Sequence, residues 1–384
     1  MKVVVAHNRY SSAQPSGENI IVDSEIEQLR SAGVTVLPFL RSSDEIGGLP
    51  AAQKALLPLS PVYNGASQRA LRAVIAAERP DLLHLHNPYP LLSPWVVRTA
   101  RRAGVPVVHT VHNYRQVCAP GLYFRDGHLC TECKGKAFGY PAIKYACYRD
   151  SRAQSAIIAT TLAVHRGTWR EGVNRYIALT GGIADHLRSY GIPDDRISIK
   201  PNGIPDPGVA PGPGAGFLYA ARLSPEKGLA VLAEGWRRHP VGSLGTLRIT
   251  GDGPLRSVAE ALASERDDVE YLGPLDRAGT MAAIRAAACV VVASLWHDVL
   301  PTIVLEALAI GRPVLGTALG GIPYLVGDAG WTVPATVDGL ADGLAVAARD
   351  APKLGATARR LYEEKFTPDV LTKRLIDIYH EVAG

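Results

Sequence analysis

Five cysteines in 384 residues are too few to staple a chain of this size, so a secreted disulfide scaffold is excluded. No apolar run approaches the roughly 20 residues a helix needs to span a bilayer. Lys and Arg never gather into a block of five or six, and the net charge of +5 is mild. That excludes a polybasic nucleic-acid arm and leaves association with a membrane at most peripheral, while a diphosphate ligand fits the small excess. Asp-x-Asp, a common way of holding a divalent cation on a phosphate, is missing as well. The opening run Val3, Val4, Val5 and Ala6 is too short for a secretory signal and is followed at once by Arg9 and Ser11. It reads as a buried first strand of a cytoplasmic protein.

What is present is a globular composition, 47% apolar and 20% charged, at a length that suits two α/β domains. β-branched runs alternate with amphipathic stretches. Strands are expected at 3–6, 34–39, 81–86, 106–111, 176–180 and 197–200. Helices are expected over Glu18–Arg30, stopped by Gly33, and over about Pro94–Ala103, stopped by Gly104. The rhythm restarts at 216–221 and recurs at 247–250, 269–272, 289–293 and 313–316. Such alternation predicts parallel sheets with right-handed crossovers. Between the halves lies Pro201-Asn202-Gly203-Ile204-Pro205 and a Pro/Gly-rich stretch that reads as a hinge. The expected domains are 1–203, with a Cys-rich insertion at about 118–147, and 204–366. A final helix over 367–384 is capped by Thr367-Pro368 and carries one stripe of Leu371, Leu375, Ile378, Tyr379 and Val382.

Three segments carry chemistry. In SLWHDVLPTIVLEALAIG, Asp298 lies in the loop after a buried strand, where open parallel sheets bind ligands. A turn (Val299, Leu300, Pro301) leads into a helix opening at Thr302 and Ile303, whose first N–H groups can meet a phosphate. Glu306, one turn further, can accept from a ribose diol. The plainer alternative makes Asp298 a helix cap and Glu306 a solvated surface residue. In Ala221–Gly228, Arg222 and Lys227 flank a strand–helix junction and suit a diphosphate, or else form surface pairs with Glu226. Gly251-Asp252-Gly253-Pro254 follows another strand and lets the backbone approach a ligand.

Taken in order, these segments resemble the retaining GT-B glycosyltransferases of family 4 (glycosyl transferases group 1), with their Arg-x4-Lys-Gly, Gly-x-Gly-Pro and paired-acid patterns. HNRYSSAQPSGENI is similar to the family's first loop, with Ser16-Gly17 where Gly-Gly is common. PDLLHLHNPYP, VPVVHTVHNYRQVC and IALTGGIADHLRSYG resemble its acceptor-side segments, so the resemblance covers nearly the whole chain. It implies two Rossmann-like domains with parallel sheets facing a cleft, the last helix crossing back to the first domain, and closure about 202–214 during turnover. It implies that Arg222 and Lys227 hold the donor diphosphate, Glu306 the ribose, Asp298 the donor sugar, where the family usually has Glu, and that His112 lines the sugar site. Gly17, Gly251, Gly253, Leu272, Leu275, Leu300, Pro301, Thr302 and Ile303 would complete the donor contacts, with the 271–275 loop near the base. The implied reaction is metal-independent glycosyl transfer with retention, from a UDP-, GDP- or ADP-sugar to a carbohydrate, lipid or small-molecule acceptor.

Among the histidines, His84 and His109 lie inside candidate strands and read as packed core residues. His86 with Asn87 stays undecided, and His112 falls just past a strand end. Cys118, Cys130, Cys133 and Cys147 crowd into thirty residues, with Cys130 and Cys133 forming a C-x2-C pair. They either hold a structural zinc in a closed four-sulfur site, or are reduced thiols in an aromatic-rich loop. No cofactor is expected in catalysis itself. Two rival functions remain at this level: an epimerase or phosphorylase on the same architecture, and a non-catalytic nucleotide-sugar-binding protein.

Overall fold

The computed structural model describes residues 1–12 and 17–384, with the backbone alone at 52 and 53. The chain forms two compact units. One comprises Met1–Tyr123, Thr131–Asn202 and Leu371–Gly384, the other Phe124–Cys130 and Gly203–Val370.

The first unit is built on six parallel strands: β1 (Lys2–Arg9), β2 (Thr35–Ser42), β3 (Leu82–Leu85), β4 (Val107–Val111), β7 (Arg175–Ala178) and β8 (Ile197–Ile199), in the order β2-β1-β3-β4-β7-β8. The short pair β5 (Phe124–Arg125) and β6 (His128–Leu129) forms an antiparallel hairpin. The second unit repeats the plan with β9 (Phe217–Ala220), β10 (Leu247–Thr250), β11 (Val269–Tyr271), β12 (Cys289–Val292), β13 (Val314–Thr317) and β14 (Gly330–Val333), in the order β11-β10-β9-β12-β13-β14. In each sheet the first strand of the unit sits inside the sheet and the chain turns away to either side. This is the switch-point arrangement of doubly wound folds.

β3, β4, β12 and β13 are buried along their whole length, which requires cover on both faces and explains why their sequences are mostly apolar, with His84, His109 and Thr110 enclosed among them. In the second unit Leu218, Val290 and Val292 face the helix Thr302–Ile310, whereas Phe217, Tyr219 and Val291 face the opposite layer with Trp236 and Leu344. Neighbouring residues on one strand thus feed two different cores. In the first unit Val3, Val5, Leu82, Val108 and Ile177 pack against Val22, Ile26 and Leu29 of the helix Gly17–Ser31.

Leu375, Ile378 and Tyr379 of the last helix, Pro368–Ala383, join that same core, and Val382 packs partly against it. β14 was not foreseen: Gly-Trp-Thr-Val is a short edge strand with weak alternation. Gly330 is required there, since a Cβ would lie 2.0 Å from the Val314 carbonyl oxygen. Among the described residues no helix is long and apolar enough to cross a membrane.

Because Leu375 is fully buried, Leu375→Ala is expected to cost about 2–5 kcal/mol. Urea unfolding followed on the first unit's transition measures it, and a loss below about 0.5 kcal/mol would show that the helix is not part of that core.

Candidate functional site

In the second unit the loops leaving β9, β10, β12 and β13 are laced together by backbone bonds. Leu223 N donates to Asp252 O at 2.9 Å, Leu295 N to Glu226 O at 2.8 Å, and Gly321 N to Asp298 O at 2.7 Å. The glycines here are steric necessities. Gly251 has φ +134°, and a Cβ would sit 1.9 Å from Ala221 O. Gly228 has φ +75°, and its Cβ would meet Ala293 O at 1.8 Å. The sequence signal that marked these loops as open to a ligand also records how closely they touch one another.

This lacing brings Arg222, Lys227, Asp298 and Glu306 into one unit at the carboxyl ends of the strands. Lys227 is not the start of a helix, as the sequence suggested. It closes a 3-10 turn, Pro225–Lys227, before the helix Leu229–Arg237, and the tight turn aims its side chain at Asp298. Lys227 Nζ lies 2.5 Å from Asp298 Oδ2, which also accepts from Ser294 Oγ at 3.2 Å. The ammonium lies 5.3 Å from the centre of the Trp296 ring. Asp298 is buried and caps no helix: Pro301 precedes the helix Thr302–Ile310, which has no side-chain cap.

Arg222 donates to Glu226 Oε1 at 2.6 Å, an oxygen that also accepts from Ser224 Oγ at 2.6 Å. The guanidinium is largely exposed, so the pair is weak and can be redirected. Glu306 is buried rather than solvated, with Arg277 Nη1 at 3.3 Å from its Oε1. Burial raises its pKa, against the pull of Arg277. Leu272 and Leu275 stand exposed on the loop after β11, and Leu300, Thr302 and Ile303 are half-buried around buried Pro301.

Sequence reasoning missed the roles of Ser224, Ser294, Trp296, Arg277 and Gly320-Gly321. Of these only the Gly-Gly pair left a local signal: Gly320 has φ +60°, and a Cβ there would meet Asp298 O at 2.4 Å. The others are brought in by folding alone.

The first unit holds a second polar assembly. Gly17 opens the helix Gly17–Ser31, and a Cβ at this position would meet nothing within 4 Å. Ser16 lies outside the described residues. About two turns along, Glu25 is buried with Lys200 Nζ 2.8 Å from its Oε2. Its other oxygen faces His86 Nε2 at 3.2 Å and His84 Nδ1 at 3.5 Å. His86 Nδ1 lies 2.9 Å from His112 Nε2. His84 is held between Thr110 Oγ1 at 2.7 Å and the Tyr379 hydroxyl at 2.6 Å.

Burial alone would raise the Glu25 carboxyl, yet Lys200, His86 and His84 hold it well below the usual range. Burial, then the neighbouring His86, holds His112 and His84 well below the ordinary imidazole value, so both are neutral. His109 is the packed residue its strand position suggested. Nδ1 bonds Leu85 O at 3.0 Å and the ring stacks on Trp169. His86, undecided from sequence, is the link between Glu25 and His112.

Glu25, His84 and His86 are also a group whose ligand atoms all lie within 4.8 Å of one another. Lys200 already neutralises the carboxylate there, which works against a cation. Cys118, Cys130, Cys133 and Cys147 are half-buried. Cys133 and Cys147 pack on the small core of Ala119, Ala142, Ile158 and Leu162, and Cys118 Sγ accepts from Tyr123 N at 3.4 Å.

Residues 3–203 match the family model "Glycosyl transferase 4-like domain", and residues 214–351 match "Glycosyl transferases group 1". The chain is 34% identical over 359 residues to the D-inositol 3-phosphate glycosyltransferase of Pseudarthrobacter chlorophenolicus, covering 81% of this chain and 76% of that one. It is 32% identical over 184 residues to the putative colanic acid biosynthesis glycosyltransferase WcaL of Salmonella typhimurium. That match covers 43% of this chain and 44% of the relative, so it spans less than half the relative's length. The crystal structure of Anabaena HepE in complex with UDP superposes with a TM-score of 0.66 at 16% identity, covering 99% of this chain and 100% of that one. The fold is GT-B.

The contacts of Glu25 predict a tautomer. Among the described residues His86 Nε2 has no partner besides the carboxylate it faces. It therefore carries the proton, His86 Nδ1 accepts, and His112 is protonated on Nε2 with Nδ1 bare. In Glu25→Gln the amide oxygen stays with Lys200 and the NH2 faces His86, which reverses both tautomers. 15N chemical shifts of histidine-labelled protein, with His112 assigned from a His112→Gln sample, should show Nε2–H in the wild type and Nδ1–H in the variant. Unchanged shifts would contradict the chain of bonds.

Proposed function

This chain belongs to the group 1 glycosyl transferases, and from that premise we propose that it moves a sugar from a nucleoside-diphosphate donor to an acceptor hydroxyl, with retention of anomeric configuration and without a catalytic metal. The observation that carries this reading is the Lys227–Asp298 pair, with Arg222 and Glu306 carried by the same unit. It stands on glycine-tightened loops at the carboxyl edge of the second sheet, beside a helix whose N-terminus has no side-chain cap.

Each group has a task that follows from its surroundings. Arg222 and Lys227 meet the diphosphate and stabilise the charge that grows as the anomeric C–O bond breaks. The first N–H groups of the helix Thr302–Ile310 add partial positive charge. Transfer of Lys227 from Asp298 to a phosphate oxygen leaves Asp298 as an acceptor for the donor sugar's hydroxyls. Glu306, buried and held by Arg277, accepts from the ribose diol. His112, neutral, lines the sugar pocket with Nδ1 available. The binding of UDP by the HepE structure supports a uridine donor, and the Pseudarthrobacter relative's name supports a sugar-like or phosphorylated acceptor. We place the reaction in the cytoplasm.

The four cysteines are proposed to hold one structural zinc that pins the 118–147 insertion. The shared packing of Cys133 and Cys147 on one small core supports this. Such a site is closed and takes no part in the chemistry. Metal analysis of purified protein should find about one zinc per chain, lost in a Cys130→Ser/Cys133→Ser variant; near zero in the wild type overturns the assignment.

Nucleotide release from a panel of UDP-, GDP- and ADP-sugars tests the activity. Arg222→Ala should lower kcat/KM by about 10²–10³-fold, and Glu306→Ala should act mainly through donor KM. An acceptor-linked product whose anomeric proton matches the donor's establishes retention. Free nucleotide with no acceptor-linked sugar would favour the epimerase, and no affinity for any nucleoside diphosphate would end the proposal.

A further inference from the structure

The first unit contains a cavity of about 330 Å³ that none of the donor-side residues touches. That volume lies within the usual range for small-molecule sites, roughly 300–1,000 Å³. One wall is apolar, formed by Ile46, Leu57, Pro61, Ile157 and Ile158. The charged groups along it are all cations, Lys54, Arg115 and Arg149, and among the described residues no carboxylate lines it.

Arg115 is the informative one. Among the described residues its buried Nε has no hydrogen-bond partner, a state that costs free energy unless a ligand relieves it. Its guanidinium lies 5.7 Å from the Tyr89 ring centre, and Arg149 stands 5.5 Å from that of Tyr148, another lining residue. Glu18 attracts the Arg115 guanidinium, yet burial pushes that carboxyl up to about 7 against the pull of Arg115. Near neutral pH it therefore compensates Arg115 only in part.

One continuity gives the cavity a direction. Tyr89 and Arg115 also line a smaller cavity shared with His86, Asn87 and His112, so the cationic end leads toward His112. Leu56 and Leu59, the chain neighbours of the lining residues Leu57 and Pro58, are 63% and 59% exposed.

We propose that this cavity is the acceptor site and that it takes a phosphorylated amphiphile, an alkyl or prenyl chain bearing a phosphate or diphosphate, rather than a neutral sugar. This rests on the glycosyl-transfer reading for the word acceptor, but not for the ligand's chemistry. The apolar wall holds the chain, Arg115 and Arg149 hold the anion, and the group beyond the anion is delivered toward His112. A neutral oligosaccharide would leave the cations uncompensated, and a small inorganic anion would leave the apolar wall wet.

The test is calorimetry on the full-length protein with hexyl, octyl and decyl phosphate below their micellar concentrations, against inorganic phosphate and decyl β-glucoside. Each buried methylene should tighten binding about fourfold. Decyl phosphate should bind at least tenfold tighter than either control. Arg149→Glu changes an exposed residue and should fold normally; it should weaken decyl phosphate at least fivefold while leaving UDP affinity unchanged. Ile157→Ser should flatten the chain-length series.

Inorganic phosphate binding as tightly as decyl phosphate would reduce the site to an anion pocket, and the glucoside doing so would reduce it to an apolar one. Either result, or an unaffected Arg149→Glu variant, overturns the proposal. Failure of UDP, GDP and ADP alike to bind the wild type would instead sink the glycosyl-transfer reading, and the alkyl phosphate series would still report on the cavity.

Discussion

Every strand of both six-stranded sheets runs parallel to its neighbours, so all the carboxyl ends in a sheet lie along one edge. That constraint governs the placement of chemistry throughout the molecule. A parallel sheet covered on both faces leaves only its ends for polar work. In the first unit His7-Asn8, His86-Asn87 and His112-Asn113 fall at or just beyond the ends of β1, β3 and β4. In the second, Arg222, Gly251, Leu272 and Asp298 follow β9, β10, β11 and β12. Residues distant in sequence become neighbours because their strands end together.

The two units handle buried charge differently. In the second, the Lys227–Asp298 and Arg222–Glu226 pairs are partly open to water, so an arriving anion can exchange one partner for another at small cost. In the first, Glu25 and Lys200 are almost fully enclosed. Breaking such a pair by removing one partner leaves an uncompensated buried charge, a loss of about 3–5 kcal/mol. Glu25 is thus a fixed reference from which the protons of His86 and His112 are ordered, while Lys227 and Arg222 are mobile charges suited to a ligand that comes and goes.

Much of the fold was legible because both periodicities were strong. The helix Gly17–Ser31 shows its buried face at Val22, Ile26 and Leu29, and the strand Leu247–Thr250 falls where its apolar run placed it. The edge strand β14 was not legible, since a four-residue strand beginning with glycine carries neither pattern. Within the site, Arg222, Lys227 and Glu306 stood out by their spacing to glycine and to one another. The partners Ser294, Trp296 and Arg277 did not, because a serine, a tryptophan and an arginine in loops or at a helix start have many ordinary uses. Glu25 was equally silent. Nothing on an amphipathic helix distinguishes a carboxylate that will be buried beside a lysine 175 residues later from one facing water.

The sequence by itself determined the class of architecture, the parallel rhythm of its two halves and the family to which the chain belongs, because local periodicity and short glycine- and charge-bearing motifs are written in consecutive residues. Only the tertiary structure decided which charge meets which. The pairing of Lys227 with Asp298, the line from Lys200 through Glu25 and His86 to His112, and the gathering of Lys54, Arg115 and Arg149 around one apolar wall all depend on where separate strands and loops come to rest. The physical reason is range. Backbone preference acts over a few residues, whereas electrostatic and steric partnership acts over a few ångströms, and in a folded chain those are different neighbourhoods.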